Sequence, residues 1–258
     1  MSLLDAKDLT MRFGGLVSVA NFNAAIEPGE IVGLIGPNGA GKSTVFNMVC
    51  GFYKPTQGRV FFDGKDITGM KPNNIVEMGL TRVFQNGRLF KKMNVIENML
   101  VGRQRHFKAS LLDSILRTPT YQQNEKLAYE KSINLLEKLD LINYIHEEAG
   151  KLPFGIQRKL EVARAMSTKP KMLLLDEPAT GLNVEESNDM IHFITQLRDE
   201  FNITILLIEH SMRVVMSICP RIIVIDHGET IAEGNPDEIR ENQKVFEAYL
   251  GVDDNVEN

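Results

Sequence analysis

A nine-residue coil, Gly36-Pro37-Asn38-Gly39-Ala40-Gly41-Lys42-Ser43-Thr44, lies between an apolar run, Ile31 to Ile35, and a helical opening, Val45 to Val49. This context constrains the fold more than any other feature, because a buried strand feeding a glycine loop and then a helix belongs to an α/β sheet. The glycines let the backbone curl so that successive N–H groups converge on phosphate oxygens. The start of the helix adds its partial positive charge at the same place. Lys42 supplies a point charge for β- and γ-phosphates, and the Ser43 hydroxyl suits a magnesium ion. The segment points to a nucleoside triphosphate with Mg2+.

A second run, Met172-Leu173-Leu174-Leu175-Asp176-Glu177-Pro178, reads as a buried parallel strand that ends in two carboxylates. Acidic groups at that end of a strand sit where ligands bind in open α/β sheets. Two adjacent carboxylates leaving an apolar strand are costly unless a cation or a proton needs them. Asp176 suits the magnesium shell, and Glu177, pointing elsewhere, suits polarising an attacking water. Asp176 lies 134 residues after Lys42, room for an inserted helical subdomain. No Asn-Lys-x-Asp segment of the guanine-reading kind is present.

The remaining chain fits around these two segments. Residues 3 to 26 alternate in half-buried strand fashion (Leu9, Met11, Phe13; Val17, Val19, Phe22), and Pro28-Gly29 makes a turn. Gly58 to Gly64 predicts a short strand with a turn, Asn73 to Met78 a helix, and Thr81 to Phe84 a strand. From Asn86 to Thr168 strand signals vanish. Tyr121 to Leu141 predicts an amphipathic helix packing through Leu127, Leu135, Leu136 and Leu139. Strands return at Met172 to Asp176 and Ile203 to Glu209, flanking a helix, Val184 to Glu200, with Ile191, Ile194 and Leu197 on one face. This alternation implies a parallel sheet. A strand pair, Arg221 to Asp226 and Glu229 to Ala232, precedes a last helix docked by Ile239, Phe246, Tyr249 and Leu250. The tail after Val252 is expected to fray.

Composition excludes several classes of protein. The net charge of −5 argues against binding nucleic acid by broad phosphate neutralisation. Cys50 and Cys219 are too few for a disulfide scaffold, and a reducing compartment fits. Met1 to Asp8 lacks the basic start and apolar core of a signal peptide. No apolar run approaches the ~18 residues of a membrane span. A soluble chain is expected, with any membrane role exercised through a partner.

Over essentially its full length the chain resembles the ATP-binding cassette (ABC) ATPases. More narrowly, it is similar to the larger ATPase subunit of branched-chain amino acid importers. The resemblance is carried by Arg12-Phe13-Gly14-Gly15-Leu16, Val83-Phe84-Gln85-Asn86 with Arg88-Leu89-Phe90, and Leu160-Glu161-Val162-Ala163-Arg164-Ala165. It continues through Asp176-Glu177-Pro178-Ala179-Thr180-Gly181-Leu182-Asn183, Ile208-Glu209-His210 and the ending Ala248-Tyr249-Leu250-Gly251.

The resemblance implies an α/β fold of the P-loop NTPase kind: a RecA-like parallel core, an N-terminal antiparallel β subdomain and an inserted α-helical subdomain. The implied divisions of this single ATPase domain are 1–85 with 169–235 for the β subdomain and core, 86–168 for the helical subdomain, and 236–258 for the C-terminal helix and tail. It further implies that residues Gly36 to Thr44 hold ATP and that Phe13 stacks on adenine; a strand-face core aromatic is the other reading of Phe13. Gln85, Ser43 and Asp176 would surround Mg2+, Gln85 would sense the γ-phosphate, Glu177 would activate water, and His210 would steady the γ-phosphate. A glutamine ending a strand is by itself only a polar strand end. His106, His146, His192 and His227 are read as solvated or packed side chains.

The implied partners are a second ATPase subunit, with a heterodimer favoured over a homodimer, two transmembrane permeases, and indirectly an extracytoplasmic solute-binding protein. Nucleic acid is not among them. The location would be the cytoplasm, on the inner face of the membrane. Arg88-Leu89-Phe90-Lys91-Lys92 would suit a permease contact, although charge runs are usually just solvated.

Two departures stand out. The signature loop of the family, Leu-Ser-Gly-Gly-Gln, is replaced by Leu152-Pro153-Phe154-Gly155-Ile156, followed by Gln157. N–H groups at the helix start from Gly155 would still reach phosphate held by the opposite subunit. Asn183 stands where many relatives carry aspartate, keeping a hydrogen-bonding side chain without the charge. Alternatives are a urea or other small-solute importer, a soluble ABC ATPase acting on ribosomes or DNA repair, and a nucleotide-binding regulator without turnover. The soluble relatives usually carry two cassettes or a coiled insertion, absent here, and Glu177 with His210 speaks against a regulator.

Overall fold

The computed structural model describes residues 2–85, 87, 89–103 and 118–250, in two compact units: Met1–Gln85 with Lys171–Asn258, and Asn86–Pro170.

In the first unit, β1 (Leu4–Phe13) and β2 (Leu16–Ile26) form a hairpin, β3 (Ile31–Ile35) runs into the glycine coil, and α1 (Lys42–Val49) follows. Strands β4 (Gln57–Phe62) and β5 (Lys65–Asp66) complete an antiparallel sheet of order β2-β1-β4-β5. Helix α2 (Pro72–Met78) leads into β6 (Leu80–Val83).

After the second unit the chain returns as β7 (Met172–Asp176) and β8 (Thr204–Ile208), then β9 (Arg221–Asp226) and β10 (Glu229–Gly234). These join β3 and β6 in a six-stranded sheet of order β10-β9-β3-β8-β7-β6. All of its neighbours pair in parallel except β10 with β9. Every residue of β3, β7 and β8 is buried, as expected for strands covered on both faces. One face, with Leu34, Leu174, Leu206 and Ile223, shares a core with Phe46 of α1 and with Leu9, Ile26 and Phe62 of the antiparallel sheet. On β3, a Cβ at Gly33 would stand 3.1 Å from Val215 and 3.2 Å from the Cys219 sulfur, so this glycine permits a close approach.

Two helices of the returning segment owe their starts to local sequence. Asn183 and Glu186 form a capping box at α6 (Val184–Phe201), and α7 (Met212–Ile218) follows Ser211, whose side chain makes no capping bond. Asn235 and Glu238 repeat the capping box at α8 (Pro236–Arg240), and α9 (Gln243–Leu250) follows. Within α9 it is Val245 that is buried, whereas Phe246, expected to dock, is 62% exposed. The tail after Val252 lies outside the described residues.

The second unit is helical among its described residues: α3 (Val95–Arg103), α4 (Pro119–Lys138) and α5 (Phe154–Met166). Thr118 caps α4 by accepting the Tyr121 N–H, with Pro119 at the first position. Ala128, Ser132, Leu135, Leu136 and Leu139 make the buried face. Leu127, expected in that stripe, is 44% exposed. It precedes Ala128 by one residue, and one residue turns a helix by about 100°.

Candidate functional site

Strands β3, β8, β7 and β6 lie side by side and point the same way, so their carboxyl ends form one edge of the sheet. Four separate segments of sequence therefore meet there: the glycine coil, Glu209-His210, Asp176-Glu177 and Gln85.

The coil uses its glycines where the backbone demands them. Gly36, Gly39 and Gly41 all have positive φ, at 153°, 81° and 106°. A Cβ at Gly36 would stand 1.9 Å from the Ile225 carbonyl oxygen, and one at Gly41 2.7 Å from that of Ser18. Helix α1 starts at Lys42 with no side chain capping it, so its first N–H groups face the coil. The Lys42 ammonium, buried, folds back and donates to the carbonyls of Gly36 at 2.6 Å and Pro37 at 2.8 Å. Burial pushes Lys42 below its ordinary pKa, while the Glu177 and Asp176 carboxylates pull it back up. Ser43 is exposed, and the Thr44 hydroxyl bonds that of Ser18 at 2.9 Å.

At the tip of β7 the two acids diverge. Asp176 pairs with the Arg82 guanidinium, both of them buried, and the same guanidinium donates to Asn47 of α1 at 2.6 Å. Arg82 also lies 4.7 Å from the Phe84 ring centroid and 5.5 Å from that of Phe46. Glu177, at φ 51°, turns away from Asp176. Its Oε2 accepts from Gln85 Nε2 and from the Thr180 hydroxyl at 3.1 Å, and its Oε1 meets His210 Nε2. Its N–H donates to the Ile208 carbonyl at 2.9 Å.

An open cleft of about 780 Å³ is lined by Asn38 to Thr44 with Ser18, Gln85, Glu177 and His210. The structure thus brings the coil, Gln85, Glu177 and His210 around one space. Asp176 is not among the lining residues and is paired with Arg82. Phe13 is 43% exposed, edge-on to Tyr53 at 5.3 Å, which removes the core-aromatic reading of this residue. It is not among the residues lining the cleft.

Pro153 to Gln157 lie in the second unit. Pro153 precedes α5 and no side chain caps that helix. Phe154 is exposed, Gly155 is buried, and Gln157 Nε2 donates to the Leu152 carbonyl at 2.8 Å. Asn86 and Arg88, quoted in the resemblance, lie outside the described residues.

Arg82, Asn47, Thr180 and Glu209 were not singled out from sequence. A charged Arg82 inside a four-residue strand, and an acid directly after the β8 run, were the available signals. Among the described residues no three His, Cys, Asp or Glu side chains come together to hold a metal. A cation here would take oxygen ligands from a bound phosphate, as Mg2+ favours.

Comparison with known proteins agrees with this geometry. Residues 19–180 match the ABC transporter family model, and residues 229–255 match that of the branched-chain amino acid ATP-binding cassette transporter. The chain is 47% identical over 249 residues to the high-affinity branched-chain amino acid transport ATP-binding protein BraF of Pseudomonas aeruginosa, covering 96% of this chain and 98% of that one. It is 46% identical over the same shares to the corresponding LivG protein of Escherichia coli. A solved ATP-binding cassette of an ABC transporter in its ADP conformation superposes with a TM-score of 0.85 at 32% identity, covering 97% of this chain and 99% of that one. The chain belongs to the ABC transporter family, as its ATP-hydrolysing, nucleotide-binding component.

Proposed function

We propose that this chain hydrolyses ATP to drive the import of branched-chain amino acids through a membrane permease. The observation that carries the chemistry is Glu177, whose carboxylate is held by Gln85 and His210 at the rim of a cleft floored by the glycine coil. The amino acid assignment is supported by the names of BraF and LivG and by the match at residues 229–255.

In this reading the N–H groups of Gly39 to Thr44 take the phosphates, and Lys42 exchanges its two carbonyl partners for phosphate oxygens. Phe13, exposed near the end of β1, stacks on the adenine. Ser43 and Gln85, which line the cleft, would hold the magnesium, with Asp176 joining them on exchanging its Arg82 partner, and these oxygen donors fit a hard cation. The ion supplies charge neutralisation on the phosphates when bound. Glu177 takes the proton of the attacking water, with Gln85 and His210 fixing its direction. The start of α5, following Pro153 and running from Phe154 to Gln157, contributes N–H groups from Gly155 onward to nucleotide held by a second ATPase subunit.

The helical unit spanning 86 to 168 is the permease-facing subdomain. The working assembly pairs this chain, on the cytoplasmic face of the membrane, with a smaller sister ATPase and two permeases, and through them with an extracytoplasmic binding protein. No described helix is long and apolar enough to cross a membrane itself.

The test is to recover the chain with its partners from membranes and reconstitute them in vesicles. ATP-dependent uptake of leucine, isoleucine or valine is expected. Uptake of urea in their place, or of none of these, contradicts the assignment.

A further inference from the structure

The loops after β7 and β8 share a buried carboxylate that the chemistry above leaves unused. Glu209 directly follows β8 and is 2% exposed. Its Oε1 accepts the Ala179 N–H at 2.7 Å, and its Oε2 accepts the N–H groups of His210 at 3.2 Å and Ser211 at 3.5 Å. Burial pushes the Glu209 pKa up, the three backbone donors pull it back, and the nearby Glu177 charge adds to the rise. A carboxylate placed this deep is costly, and backbone N–H groups satisfy it.

The donors come from two different loops. Ala179 lies two residues after Glu177, and His210 is the next residue after Glu209. The side chain therefore spans the two stretches of main chain that carry the two ends of the Glu177–His210 contact. The carboxylate gives each loop its own acceptor oxygen, whereas an amide of the same shape would turn an NH2 group, a donor, toward one loop's N–H. The Glu177 N–H also donates to the Ile208 carbonyl at 2.9 Å, a main-chain tie between the ends of β7 and β8.

We propose that Glu209 is a positioning residue for hydrolysis: its carboxylate fixes the loop bearing Glu177 against the loop bearing His210, so that the two side chains meet at the rim of the cleft. The inference rests on the ATPase reading above. It assigns Glu209 no contact with nucleotide, so its loss acts on turnover and not on binding.

The test compares the parent with Glu209→Gln in the assembled complex, with Glu209→Ala as a second variant. Steady-state kcat and KM for MgATP are measured, together with nucleotide affinity by calorimetry and the melting temperature of the full chain. Glu209→Gln, nearly isosteric, loses one of the two arms. The expected result is a fall in kcat of about tenfold, since small misplacement of a reactive group slows chemistry this much or more. KM and affinity stay within about twofold, the pattern of an interaction that matters only in the transition state. In a Glu177→Gln background the same change has no further effect, because both variants act through one group.

A kcat equal to the parent's overturns the inference, as does a loss of affinity in step with kcat. A slowing that multiplies with that of Glu177→Gln overturns it too, since it reduces Glu209 to a cap on the turn before α7. A parent complex that hydrolyses no ATP overturns the ATPase reading, and this inference with it; a hydrolysing parent with an unaffected Glu209→Gln overturns the inference alone.

Discussion

Helices α1 and α5 both begin without a side-chain cap, yet their first turns are built in opposite ways. Before α1 the chain places Gly36, Gly39 and Gly41 at positive φ, and the Lys42 ammonium is folded back over the coil. Before α5 stands Pro153, whose ring offers no N–H, and an exposed Phe154 stands where a glycine would leave the backbone bare. The nearest cation of α5, Arg158, is 5.1 Å from the Phe154 ring centroid and pairs with Glu161. An uncapped helix start is therefore only half of a phosphate site. The other half is a backbone that closes around the ligand and a cation left to meet it, and α1 has both.

The largest effect tests whether the α1 cradle serves chemistry at all. Glu177→Gln is expected to keep ATP affinity while slowing hydrolysis by about 10²–10⁴, the scale of losing a positioned acid–base group. Steady-state turnover with a binding isotherm checks it, and turnover within a few-fold of the parent breaks the comparison at its base. Next, Lys42→Ala removes the cation that distinguishes α1 from α5. A loss of MgATP affinity of about tenfold to a hundredfold is expected, as for removing charge-assisted hydrogen bonds. Calorimetry reads this directly, and unchanged affinity would make the two helix starts equivalent.

A smaller loss is expected from Phe13→Ala. Base stacking on an aromatic side chain is worth roughly 1–3 kcal/mol, so affinity should fall about tenfold. Equal affinity for ATP and for a triphosphate lacking the base, in the parent protein, would contradict this role. The smallest change is Pro153→Ser, which gives α5 a capping hydroxyl and an extra N–H. Turnover of the assembled transporter should rise a few-fold, while nucleotide binding by the isolated chain stays the same. No change in turnover would show that the missing hydroxyl is immaterial.

The parts of the molecule that could be read from sequence are those written in consecutive residues. The glycine coil and the Asp176-Glu177 tip each carry their own strand, and their geometry follows locally. Leu127 and Phe246 were misplaced because helical facing depends on phase, and an error of one residue turns a side chain away from the core. Phe13 was ambiguous because β1 shifts register against β2 between Ala6 and Arg12, so simple alternation fails toward the hairpin tip. Arg82 and Glu209 were passed over for another reason. Their partners, Asp176 with Asn47 and the Ala179 N–H, are set by which strands and helices lie adjacent, and strand order is not written in any one segment.

The most direct measurement is a crystal structure of Glu177→Gln with MgATP. The triphosphate should lie along the N–H groups of Gly39 to Thr44, with its terminal phosphate facing Gln85, residue 177 and His210. Nucleotide bound elsewhere on the chain, or a cleft left empty at saturating MgATP, would contradict the site described here.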